Sequence, residues 1–177
     1  MSAVTIEGVL MRKVFFVVSL LAIAVVAVQY YLAAVGVFSG SHDGFVFHGT
    51  SGRIVAPIVF LLLIVTAALA RAGKKTIWLT VLMLGLLVMQ TLIFVFTGLI
   101  FGVGPDTPNP PVAAILTVSL HALNPMFMIW VGVVIALRAR RLAFPGAGAA
   151  PDGATATDAE AAVSPALDRP AGPPPTS

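Results

Sequence analysis

Four long apolar runs divide the first 141 residues of this chain, and short polar turns separate them. The runs cover about residues 14–38, 48–70, 76–101 and 111–137. A helix of ~25 residues is ~37 Å long, which is enough to cross a hydrocarbon core of ~30 Å. The sequence therefore predicts an all-α polytopic membrane protein with four transmembrane helices. The short turns make successive helices antiparallel neighbours, so we expect an up-down-up-down bundle.

Composition supports the membrane interpretation and excludes several classes of site. Hydrophobic residues make up 59% of the chain and charged residues only 10%, whereas roughly 25% are charged in a soluble domain. The chain has no cysteine, which excludes disulfides, zinc thiolate sites, iron–sulfur clusters and cysteine nucleophiles. There is no P-loop, no dinucleotide fingerprint and no nucleophile beside a carboxylate-backed histidine, so the sequence gives no positive indication of an enzyme.

The positive charges indicate orientation rather than nucleic-acid binding, because they lie at the ends of the apolar runs. One end of the predicted bundle, called the basic end below, carries most of them: Arg12, Lys13, Arg71, Lys74, Lys75, Arg138, Arg140 and Arg141. Asp43 and Asp106 lie in the loops at the opposite end, and Arg53 lies inside the second span. We therefore predict that both termini are cytoplasmic. The Ala-, Gly- and Pro-rich composition favours a bacterial protein, hence the inner membrane.

The two termini differ from the bundle in composition. Residues 1–13 form a short N-terminal segment in which Met11 is a second candidate start. The run at 14–38 is longer than the ~7–15 residues of a signal-peptide core, so we interpret it as a span. Residues 142–177 are rich in Ala, Pro and Gly and contain few large apolar side chains. They are predicted to form a disordered cytoplasmic tail.

Each predicted helix carries one conspicuous polar residue, namely Gln29, His48, Gln90 and His121. In an up-and-down bundle the two glutamines lie on one diagonal and the two histidines on the other. At 1.5 Å per residue, Gln29, Gln90 and His121 all lie ~22–26 Å from the basic end, and His48 lies ~34 Å from it. These positions predict a polar layer within the membrane.

Three functions for this layer remain open at this point. His48 and His121 could be the axial ligands of a b-type haem iron, with Arg53 beside a propionate, although the depth estimates separate the two histidines by ~8–10 Å. The same side chains could bind a quinone carbonyl. Alternatively, the layer could only hold the helices in register, with Asn124 sharing the hydrogen bonds of His121. This last interpretation, an accessory or structural membrane protein, is our leading hypothesis.

A resemblance supports the predicted fold. The segment Val28–Phe38, Phe47-His48, Gln90 and Leu120–Asn124 resemble an uncharacterised family of small bacterial four-helix membrane proteins, over about residues 12–141. The resemblance implies fold and topology and no function. More distantly, membrane histidines in a four-helix bundle are similar to b-type cytochromes of the cytochrome b561 sort. Those carry four histidines, so the resemblance implies at most one haem here.

The expected partners follow from this interpretation. The lipid bilayer is the first, and other membrane subunits or further copies of the chain are the others. No nucleic-acid partner is expected, and carriage of protons or cations is disfavoured because no Asp or Glu lies inside a predicted span.

Overall fold

Helices account for nearly all the regular structure in the described part of the chain. The computed structural model describes residues 3–104 and 107–146. Its α-helices are α1 (Ala3–Phe38), α2 (Val46–Thr50), α3 (Ala56–Leu69), α4 (Lys74–Phe101) and α5 (Val112–Ala143). No strand occurs among the described residues. The prediction of an all-α fold with four membrane-spanning helices is confirmed.

Four helical segments are long and apolar enough to cross a membrane: Ile6–Phe38, Asp43–Leu69, Lys74–Phe101 and Val112–Ala143. Each overlaps one predicted span, and together they make the chain a multi-pass membrane protein by length and hydropathy. α1 continues through most of the segment 1–13 that the sequence assigned to a separate N-terminus. The predicted disordered tail lies outside the described residues from position 147 onward, as does Asp106.

The second span is composite. It begins with a 3₁₀ turn at His42–Phe45, continues as α2, passes through a π-helical turn at Ser51–Val55 and ends as α3. Gly49 and Gly52 are weak helix formers, and Pro57 offers no N–H to the carbonyl of Arg53. The backbone hydrogen bonds therefore reach back five residues here and not four, and the N–H of Ala56 bonds to the carbonyl of Ser51. By contrast, α5 continues without interruption through Pro125.

The four spans form a ring. α1 packs on α3 and α5, and α4 packs on the same two helices. The tight turn between α3 and α4 uses positive φ values of 53° at Arg71 and 81° at Gly73. Close approach of α1 and α5 depends on Gly132, where a Cβ would lie 2.9 Å from Cγ1 of Ile23. A small residue at this crossing is typical of membrane helix pairs.

The densest packing lies toward the basic end of the ring. Its largest fully buried apolar side chains are Phe15, Phe60, Leu63, Met83 and Ile135. Together they come from all four spans, so each span is anchored in one apolar core.

Candidate functional site

A cavity of about 600 Å³ lies between the spans, on the side of this core away from the basic end. Most of its wall is apolar. Five of the six residues predicted from the sequence line it: Gln29, His48, Arg53, Gln90 and His121. Apolar walls with a few convergent polar groups are typical of small-molecule sites.

The two histidines meet across the ring. Their ring centroids are 6.1 Å apart, with an angle of 74° between the planes. The side chains thus bridge much of the ~8–10 Å separation estimated from helix rise alone. His48 lies in α2, just before the π-helical turn, and His121 lies in the middle of α5. Two residues on non-adjacent helices are therefore neighbours.

Gln29 holds the irregular part of the second span. Its side-chain amide accepts from the N–H of Gly52 at 2.7 Å and from Oγ of Ser51 at 3.0 Å, and its nitrogen donates to the carbonyl of His48 at 3.2 Å. The opposite amide orientation would set its nitrogen against an N–H, so these contacts fix the assignment. A regular α-helix would bond the N–H of Gly52 to the carbonyl of His48. The Gln29 amide thus contacts both of those groups.

Gln29 also offers Nδ1 of His48 two different partners. The main-chain carbonyl of Gln29 lies 3.1 Å from Nδ1, and its side-chain nitrogen lies 2.9 Å from the same atom. A neutral imidazole can donate to the first or accept from the second, but not both. Donation leaves a lone pair on Nε2, suited to a metal. Acceptance places the N–H on Nε2, suited to a ligand oxygen.

On the opposite wall, two buried polar atoms lack a partner among the described residues. They are Oε1 of Gln90 and Nδ1 of His121. The His121 ring packs against Phe94, with centroids 4.6 Å apart, which restricts its orientation. An unpaired polar atom shielded from solvent costs about 1–3 kcal/mol. Both residues line the cavity, so a polar atom of a bound ligand is a candidate partner for them.

Asn124 is the one predicted residue that does not line the cavity. It is only 7% exposed, and its Nδ2 donates to the carbonyl of Leu86 at 2.7 Å. It therefore links α5 to α4 and does not bond to His121. The Tyr30 hydroxyl makes a second link, donating to the carbonyl of Ala122 at 3.3 Å between α1 and α5.

Arg53 places a positive charge at the cavity. Its Nε donates to the carbonyl of Gly49 at 3.1 Å, so the side chain runs back along its own helix. Residues on a helix point toward its N-terminus, which here is the end opposite the basic end. No Asp or Glu is found among the described residues that line the cavity.

Sequence reasoning missed two features of the site. Phe45 lies on the 3₁₀ turn and lines the cavity, with its ring 6.5 Å from the His48 ring. A second cavity of about 330 Å³ lies beyond Phe94, toward the loop between α4 and α5. The proximity of Phe45 to His48 in the sequence was an available signal. The second cavity had none, because it depends on how the loop folds back.

The histidine pair alone is not a site for a bare metal ion. Within residues 3–104 and 107–146, no group of three or more His, Cys, Asp or Glu side chains could hold one. Two imidazoles suffice only where a macrocycle supplies the remaining ligands, as in a bis-histidine haem.

Comparison with known proteins gives one similarity. A family of unknown function, DUF6220, matches residues 29–98. The match covers less than half of the chain, from Gln29 through Gln90 and to the last turn of α4. His121 and Asn124 lie beyond it. No curated protein matches the chain, and no solved structure matches it.

Proposed function

We propose that this membrane protein binds a lipophilic small molecule whose head group carries hydrogen-bonding oxygen, in the cavity between its spans. The observation that carries the proposal is the pair of unpaired buried atoms, Oε1 of Gln90 and Nδ1 of His121. A purely structural layer needs each polar group to find a neighbour. Gln29, Tyr30 and Asn124 do so, whereas these two atoms find no partner among the described residues, and the residues that bear them line the cavity.

A quinone fits this description. Its reduced form, a quinol, has a hydroxyl that would donate to Oε1 of Gln90 and an oxygen that would accept from an imidazole N–H, and its apolar tail would lie along the apolar wall. This role is binding rather than catalysis. We further propose the bacterial inner membrane as its location, with both termini in the cytoplasm, because of the charges at the basic end.

Haem b is a second candidate, favoured by the spacing of His48 and His121. Their rings lie 6.1 Å apart, and these two imidazoles would hold the haem iron. Donation from Nδ1 of His48 to the Gln29 carbonyl is the usual support for such a ligand. Bound haem would supply one-electron chemistry.

One preparation tests both candidates. The protein is purified in mild detergent from haem-replete cells, and its spectrum is recorded oxidised and after dithionite. Lipophiles that copurify are then extracted and identified by mass spectrometry. A Soret band that shifts on reduction and is lost in His121→Leu would assign haem.

The first proposal predicts a colourless protein with a copurifying lipophile. Less of this lipophile should copurify with His121→Leu and with Gln90→Met. A colourless protein with the same extract in all three forms would contradict both proposals. That outcome would mean that the polar layer has only a structural role. Asn124→Leu is the matched control, because Asn124 lies on α5 outside the cavity.

A further inference from the structure

Arg53 is the only Lys or Arg among the described residues that line the cavity. It lies in the π-helical turn, inside the span Asp43–Leu69. An arginine within a span is costly, and such residues normally pair with an anion or line a polar cavity. Here no carboxylate of the described residues shares the cavity wall.

The geometry of Arg53 leaves its terminal nitrogens available. Its hydrogen bond to the Gly49 carbonyl uses Nε, and the two Nη atoms make no other hydrogen bond to the described residues. They carry four of the five donors of the guanidinium. A planar pair of donors matches the two oxygens of a carboxylate.

From this we infer that the lipophile bound in the cavity carries a carboxylate, which pairs with the guanidinium of Arg53. The inference rests on the proposed function and narrows its ligand. A neutral quinol would satisfy Gln90 and His121 but leave the guanidinium without a counter-charge. One guanidinium balances one negative charge, which favours a monoanionic carboxylate over a phosphate dianion.

The test compares two molecules that differ only in the head group, dodecanoate and dodecanol. Each is labelled and equilibrated by dialysis with the full-length protein in phosphatidylcholine nanodiscs. Empty nanodiscs give the background of partition into lipid. We expect dodecanoate to bind about tenfold or more tightly than dodecanol, because a hydrogen bond to a charged group contributes ~1.5–3 kcal/mol.

Variants then show which residue causes the preference for dodecanoate. Arg53→Gln should bring the two affinities to within about threefold, and Arg53→Lys should keep part of the preference because the charge remains. Arg71→Gln is the matched control, since Arg71 lies in the turn between α3 and α4. It should leave the preference unchanged. The wild-type comparison of the two molecules stands even if Arg53→Gln fails to fold.

The outcomes separate the two proposals. Equal binding of both molecules by the wild type would overturn the carboxylate assignment and leave the binding function intact, as would a preference that survives Arg53→Gln. Binding of neither molecule would overturn both. Short-chain phosphatidylglycerol is added as a competitor. If it displaces labelled dodecanoate at a lower concentration than unlabelled dodecanoate does, Arg53 pairs with a phospholipid phosphate and the carboxylate assignment is wrong.

Discussion

The two halves of the bundle differ in how fully their buried polar side chains are satisfied. Near the basic end, buried hydroxyls bond to carbonyls of their own helices, as Ser19 does to Phe16 at 2.6 Å and Thr80 to Ile77 at 2.7 Å. These polar atoms are satisfied locally, and the apolar core closes around them. In the other half, Gln29 reaches another span, while Gln90 and His121 keep unpaired atoms at the cavity.

This difference separates the part of the protein that holds the fold from the part that can bind. In lipid, helices associate mainly through close packing and interhelical hydrogen bonds. The basic-end half relies on close packing. The cavity half gives up packing and leaves hydrogen-bonding capacity unused. Substitutions in the first half should therefore change stability, and some substitutions in the second should change binding alone.

The largest effect is expected in the closed half, for Leu63→Ala. Leu63 is completely buried, and truncation would leave a void between spans that costs about 2–3 kcal/mol. The free energy of unfolding in detergent, followed by circular dichroism, measures the loss. Leu62→Ala is the control, because the neighbouring leucine is 47% exposed on the outward face. Equal losses in the two variants would mean that the core is not where stability resides.

Gly132→Ala is expected to cost less, about 1–2 kcal/mol. The added methyl group would lie 2.9 Å from Cγ1 of Ile23 and push α5 away from α1. Gly85→Ala provides the comparison, since nothing lies within 4 Å of its Cβ position, and alanine is the better helix former. We expect the unfolding free energy to fall in the first variant and to stay constant or rise in the second.

Gln29→Met should cost about 1 kcal/mol, because it removes the amide that contacts the N–H of Gly52 and the carbonyl of His48. Hydrogen exchange measured by mass spectrometry should rise in peptides covering Ser51–Val55. Unchanged exchange there would show that the π-helical turn stands without the amide. Such a result would remove Gln29 from the cavity's support.

The smallest loss of stability, none at all, is expected for Gln90→Met, because it removes the cost of an unpaired buried atom. Its Oε1 has no partner to lose among the described residues. The same variant should lose most of the copurifying lipophile. This substitution matches Gln29→Met in chemistry and differs only in the wall it occupies. A large loss of stability in Gln90→Met would mean that both glutamines hold the helices together.

The sequence predicted the fold well because one strong constraint, apolar runs of membrane-spanning length, decides it. Residue counting put Gln29, Gln90 and His121 at one depth, and all three line one cavity. It set His48 apart from them, whereas the His48 ring lies 6.1 Å from the His121 ring. Asn124 departed from its expected bond to His121 because one turn along α5 rotates its side chain toward Leu86. Periodicity gives the spacing of two residues on a helix but not which neighbouring carbonyl lies closer.

The π-helical turn was the main feature beyond sequence reasoning. Pro57 and the two glycines, Gly49 and Gly52, are local signs of a weak helix in the second span, but they do not predict a shift of register. In the structure, the backbone hydrogen bonds shift to the π-helical pattern, and the Gln29 side chain of α1 contacts this turn. This contact depends on two segments far apart in sequence. No local pattern contains it.

The Gln29 amide also has a consequence for how the chain enters the membrane. The second span carries His48, two glycines and Arg53, and an arginine within a span raises the free energy of insertion, by up to ~2.5–3.5 kcal/mol at the centre. α1 emerges from the ribosome first, and it brings with it the amide that satisfies the next span's exposed backbone. Insertion of the second span should therefore improve when α1 precedes it in a reporter fusion, and a methionine at position 29 should weaken that help.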